Sequence, residues 1–112
     1  MYTEKYYYLR NKNNVPMITV CLLKDEENNV ARGISICSER DVVCKKRGRR
    51  IAKVRAEHAM KTKAYSLQIG RLETETIVAD VEDINTQYLP TWYKSSYNLN
   101  VADYEKKILK MN

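Results

Sequence analysis

The sequence predicts an α+β fold, a small antiparallel β-meander packed against one long helix with further C-terminal helices. Three observations predict it. Strand-like alternation fills the first third of the chain in three runs, separated by breaks rich in Asn and Asp. Small and apolar residues then recur at helical spacing from Cys44 to Ala59. A second helical spacing, Val101, Tyr104, Ile108 and Met111, closes the chain.

The first strand is expected over Glu4 to Arg10 and the second, rich in β-branched residues, over Met17 to Lys24. Asn11 to Asn14 supply the turn between them. The polar run Asp25 to Asn29 leads to a third strand over Val30 to Cys37. Side chains alternate along a strand, so Val30, Arg32, Ile34 and Ile36 share one face and Ala31, Gly33, Ser35 and Cys37 the other. The second face is all small and admits a helix or a ligand close to the backbone.

Ser38 followed by Asp41 resembles a capping box, which starts the long helix near Glu39 and carries it to about Lys63. Cys44, Gly48, Ile51, Ala52, Arg55 and Ala59 form the stripe that faces the sheet. Arg55 in that stripe either snorkels to the edge or meets an anion, because an unpaired buried charge costs several kcal/mol. Leu72 to about Asn85 is compatible with helix or strand, with helix favoured, and Pro90 stops it. Asn100 is the expected N-cap of the closing helix.

The 112 residues suit a single ligand-binding domain, and no second core or repeat is visible. The formal charge is +6, and seven Lys or Arg lie between Lys45 and Arg55 without one acid, a concentration that attracts phosphate or merely solvates a helix face. Lys46, Arg49, Arg50 and Lys53 are expected on the exposed side of that helix. Three cysteines, an odd number, sit partly in strand-like runs and lack a CxxC pair, so a reducing cytoplasm and small core thiols are expected. With one histidine, a zinc site lacks ligands at workable spacing. No apolar run approaches the ~20 residues of a membrane span.

Catalysis is not expected: the three glycines stand alone, and Ser35, Ser38 and His58 are explained by capping and surface positions rather than by a nucleophile and base. No cofactor is implied. Nine tyrosines and no Phe leave many rings that can pack while keeping a hydroxyl for a partner. A basic helix beside such a sheet is also a workable nucleic-acid surface, though no DNA- or RNA-reading motif is present. A basic nucleic-acid-binding protein or an anti-CRISPR-type inhibitor is therefore the alternative to small-ligand binding.

The run Ala31-Arg32-Gly33-Ile34-Ser35-Ile36-Cys37-Ser38, then Asp41, then Gly48-Arg49-Arg50-Ile51-Ala52-Lys53-Val54-Arg55-Ala56, resembles the signature half of the Thoeris anti-defence sponges of the first type, small phage proteins. Ser96-Tyr97-Asn98 and Asp103-Tyr104-Glu105-Lys106-Lys107 are similar to that family's C-terminal part. The resemblance covers about half of the chain. It implies a phage protein in the cytoplasm of a bacterial host that sequesters, without cleaving it, the cyclic ADP-ribose isomer made by TIR enzymes. It further implies a homodimer or larger oligomer with ligand between subunits, and for some members separate sites for cyclic oligonucleotides.

A doubly phosphorylated ligand needs bidentate donors for phosphate, a ring for the base and polar partners for ribose. The residues expected to supply these are Arg32, Arg55 and Arg71 for phosphate, Tyr97 for the base, and Ser38 or Asn98 for hydroxyls. For Tyr97, Ser38 and Asn98 a structural role is an equal alternative. Arg32 and Arg55 are expected to converge on one pocket.

Overall fold

The computed structural model describes residues 2–36, 45–63, 96–97 and 101–111. The elements are β1 (Thr3–Arg10), β2 (Pro16–Lys24), β3 (Val30–Ile36), α1 (Lys45–Thr62), β4 (Ser96–Tyr97) and α2 (Asp103–Ile108). The four strands form one antiparallel sheet in the order β1-β2-β3-β4. The expected meander is therefore present, extended by a short fourth strand that pairs Ala31 with Tyr97 and Arg32 with Ser96.

The two hairpin turns are built alike. Asn11 Oδ1 accepts the amides of Asn13 and Val15 at 2.9 and 3.0 Å, while Asp25 Oδ1 accepts those of Glu27 and Asn29 at 2.9 and 2.8 Å. In each, the residue three positions later is an asparagine with positive φ, Asn14 at 62° and Asn28 at 65°, a conformation Asn tolerates better than most side chains. The same chemistry thus closes both loops and sets the pairing that places Tyr8 opposite Thr19 and Gly33 opposite Cys21.

The sheet is covered on both faces. On one, Leu9, Ile18, Val20, Leu22, Val30, Ile34 and Ile36 form a core that Leu109, just after α2, closes. On the other, Cys21, Leu23 and Ala31 meet Ala52, Ala56, Ala59 and Met60 of α1. The all-small face of β3 is what allows the second contact. A Cβ added at Gly33 would run into the backbone carbonyl of Ala52 and the backbone amide of Ala56. One added at Gly48 would lie 2.7 Å from Thr19 Oγ1. The helix therefore rests almost directly on the strand backbone.

The expected start of the long helix, with Ser38, Asp41 and Cys44, lies outside the described residues, as does the 72–85 segment. The helix ends where expected, Lys63 adopting positive φ (54°) while its amide bonds the Ala59 carbonyl. The closing helix is shorter than expected. Its N-cap is Ala102 rather than Asn100, and the Ala102 amide donates to Glu105 Oε1 at 3.1 Å, so the acid three positions on supplies the cap from inside the helix.

Two predictions follow from this packing. Gly33→Ala is expected to destabilise the protein by about 3 kcal/mol, because the obstructing atoms are backbone and cannot rotate aside; a urea titration within about 0.5 kcal/mol of wild type would contradict the close approach. Burial also pushes the Cys21 thiol up from its ordinary 9.0 to about 12. A raised value stabilises the fold below 9.0, and that stabilisation is lost as the pH rises toward about 12. Denaturation midpoints should therefore fall above pH 9, with a shallower fall for Cys21→Ala; identical slopes would show that the thiol is not held neutral by the fold.

Candidate functional site

Arg32 and Arg55 do not share a pocket. Arg32 belongs to the face of β3 that α2 covers, and its side chain is buried, 4% exposed, against Glu105, which is fully buried. Arg32 Nε donates to Glu105 Oε2 at 2.9 Å and Nη2 pairs with Oε1. Tyr7 donates its hydroxyl to Glu105 Oε2 at 2.7 Å, and its ring meets Tyr104 edge-on at a centroid distance of 5.5 Å. Burial disfavours the Arg32 charge, but the Glu105 hydrogen bonds and charge outweigh it and hold the guanidinium above its ordinary value. Burial, reinforced by Glu105, likewise raises Tyr7 well beyond the phenol range.

The assignment of Arg32 to a ligand's phosphate is corrected accordingly: a buried guanidinium needs a carboxylate, and α2 brings one from 73 residues away. Arg55 sits on α1, across the sheet from Arg32, and donates from Nη1 to the Ile34 carbonyl at 2.6 Å. Tyr97 is half-buried on the α1 face of the sheet and packs against the second core cluster. Ser38, Arg71 and Asn98 lie outside the described residues.

The basic residues of α1 divide differently from the expectation. Lys46 and Arg50 are exposed as expected, but Arg49 and Lys53 turn toward β1. Four-residue spacing puts Lys45, Arg49 and Lys53 in one row along the helix. Two-residue spacing puts Glu4, Tyr6, Tyr8 and Arg10 in one row along the facing side of β1. The rows meet. Lys53 Nζ lies 3.0 Å from Glu4 Oε1, and Tyr6 donates its hydroxyl to Glu4 Oε2 at 2.7 Å. The Tyr6 bond, helped by Lys53, holds the Glu4 carboxyl below its ordinary value.

At the other end three cations gather round a single ring. Arg49 Nη1 donates to the Tyr8 hydroxyl at 2.9 Å, Lys45 Nζ lies 5.1 Å from the ring centroid and Arg10 Cζ lies 6.0 Å from it. Both ring distances are within the range in which a cation is attracted to an aromatic face. Arg10 is steadied by a bond from Nη1 to the Asn14 carbonyl at 3.0 Å, so the first hairpin turn anchors its guanidinium. The result is a half-buried tyrosine with a guanidinium fixed at its hydroxyl and two more cations over its ring. Such a cluster can take phosphate oxygens by charge-assisted hydrogen bonds and can offer an aromatic face to a base.

Lys45, Tyr8 and Arg10 were not among the expected site residues. Their signal was present in the alternation of β1 read against the four-residue row of α1, but nothing local joins the two. Among the described residues no group of three His, Cys, Asp or Glu side chains could hold a metal ion, and no helix is long and apolar enough to cross a membrane.

Removing one partner of a buried ion pair leaves an uncompensated charge, so Glu105→Ala is expected to cost about 3–5 kcal/mol. Arg32→Met with Glu105→Leu should recover most of that loss. Equal destabilisation of the single and double variants in chemical denaturation would contradict a structural pair. Neither a protein-family model, nor a curated protein, nor a solved structure matches the chain.

Proposed function

We propose that the protein binds and sequesters a phosphorylated cyclic nucleotide signal without cleaving it. One observation carries this reading: Arg10, Lys45 and Arg49, borne by two different elements, converge on Tyr8. Cations gathered on one ring create a local positive field and offer an anionic ligand donors of suitable geometry. The exposed cations Lys46, Arg47 and Arg50 on the same helix extend the positive field around the cluster.

The resemblance of the Ala31–Ser38 and Gly48–Ala56 segments to the Thoeris anti-defence sponges supports the choice of ligand, a cyclic ADP-ribose isomer, and a site of action in the bacterial host cytoplasm. The proposed assembly is a homodimer or larger. No catalytic step belongs to the reading. The binding residues are shifted from the Arg32 neighbourhood to the furrow between β1 and α1, because Arg32 is committed to Glu105.

Calorimetry with the TIR-derived cyclic ADP-ribose isomer tests the proposal. Binding at micromolar ligand, with intact ligand recovered by mass spectrometry after heat release, is the expected result. Lys45→Glu with Arg49→Glu should weaken it at least about tenfold, equivalent to 1.4 kcal/mol. Absence of binding at micromolar ligand, or recovery of a cleaved product, would overturn it. The competing nucleic-acid reading, to which the exposed Lys46, Arg47 and Arg50 lend support, predicts instead an oligonucleotide affinity that falls steeply with added salt.

A further inference from the structure

We infer that Tyr8 is a stacking platform: a nucleotide base lies on its ring while the nucleotide's phosphates engage Lys45 and Arg10. This rests on the function proposed above and specifies which part of the ligand the furrow reads. A site for phosphate alone needs only cations, and Lys45, Arg10 and Arg49 would provide them without an aromatic ring at their centre.

The ring is positioned at both ends. Its backbone is held in the β1–β2 ladder opposite Thr19, and its hydroxyl accepts a hydrogen bond from Arg49 at 2.9 Å. Gly48, the neighbour of Arg49, brings α1 so near Thr19 that a single added carbon would come within 2.7 Å of the threonine hydroxyl, and this approach lets Arg49 reach across to β1. A ring fixed in this way loses little further freedom when a base settles on it, which is the condition for efficient stacking.

The two cations over the ring sit differently. Lys45 is exposed on a flexible stem, and its ammonium lies 5.1 Å from the ring centroid. Arg10 is half-buried, anchored through Asn14, with its guanidinium carbon at 6.0 Å. A phosphate draws the lysine off the ring, and the face it leaves accepts the base. The ammonium thus guards the apolar face in the absence of ligand and becomes a phosphate partner in its presence. Stacking of this kind contributes roughly tenfold to hundredfold in affinity for each base.

The bland reading of the same geometry makes Tyr8 a spacer whose π cloud keeps three cations together. The two readings separate when the cyclic ADP-ribose isomer and inorganic pyrophosphate are titrated in parallel into wild type, Tyr8→Phe and Tyr8→Leu. Stacking predicts that Phe, which keeps the ring, stays within about threefold of wild type, whereas Leu loses roughly tenfold to hundredfold for the nucleotide and leaves pyrophosphate unchanged. Equal weakening of both ligands by Leu, or an unchanged nucleotide affinity, overturns the inference and leaves the proposed function standing. Wild type that binds no nucleotide overturns both. A Tyr8→Trp variant carrying Trp92→Phe gives an independent reading: nucleotide should quench its indole fluorescence, and unaltered emission at saturating nucleotide counts against stacking.

Discussion

The structure depends on how closely α1 approaches the sheet at Gly33. Helices and sheets ordinarily keep a layer of side chains between them, but here the Ala52 carbonyl and the Ala56 amide occupy the space a Cβ would need. Ala31, Gly33 and Ser35 on the strand and Gly48, Ala52 and Ala56 on the helix are the matched small surfaces that permit it. With the axis so near the sheet, side chains on the flank of α1 reach β1. Lys45, Arg49 and Lys53 meet Tyr8 and Glu4 for this reason, and a bulkier interface would lift the row of cations away from the tyrosine.

Arg32 and the cations around Tyr8 differ in how firmly burial commits a charge to one partner. Arg32 is buried with its carboxylate partner, tyrosine hydroxyls complete the network, and the pair ties β3 to α2. Such a pair adds little net stability over an apolar replacement, yet losing one half is expensive, so it acts chiefly to specify where the closing helix docks. The cations around Tyr8 are half-buried or exposed, and the ring attracts them weakly. Charges held in that manner can exchange partners, which a ligand site requires.

Much of the fold was legible because it is written in local patterns. Alternation placed the three long strands within a residue or so of their observed limits, and the all-small face of β3 announced the helix that lies on it. The turns were marked by Asn and Asp, whose carbonyl and carboxylate oxygens hold the backbone amides two and four residues on. The site was legible only in part, since the contact that joins Arg49 to Tyr8 spans 41 positions, and the Arg32 partner that rules Arg32 out lies 73 positions away. Arg32 on an otherwise aliphatic face looked like a ligand donor because its partner is remote. The clue was Glu105, which lies on the same helical stripe as Val101 and Leu109 and points an acid inward. Two opposite charges, each on an apolar face, are a reason to pair them. The cap of α2 was misplaced at Asn100 because Asn is the commoner N-cap, whereas Glu105 does that work for Ala102 from within the helix.

The central claim is that the furrow between β1 and α1, and not the buried Arg32 network, receives a phosphorylated nucleotide. Amide chemical-shift mapping of isotope-labelled protein during titration with the cyclic ADP-ribose isomer tests it most directly. Saturable shifts concentrated at Tyr8, Arg10, Lys45 and Arg49 are the expected result. Shifts confined to Arg32, Tyr104 and Glu105, with the furrow unmoved, would contradict it.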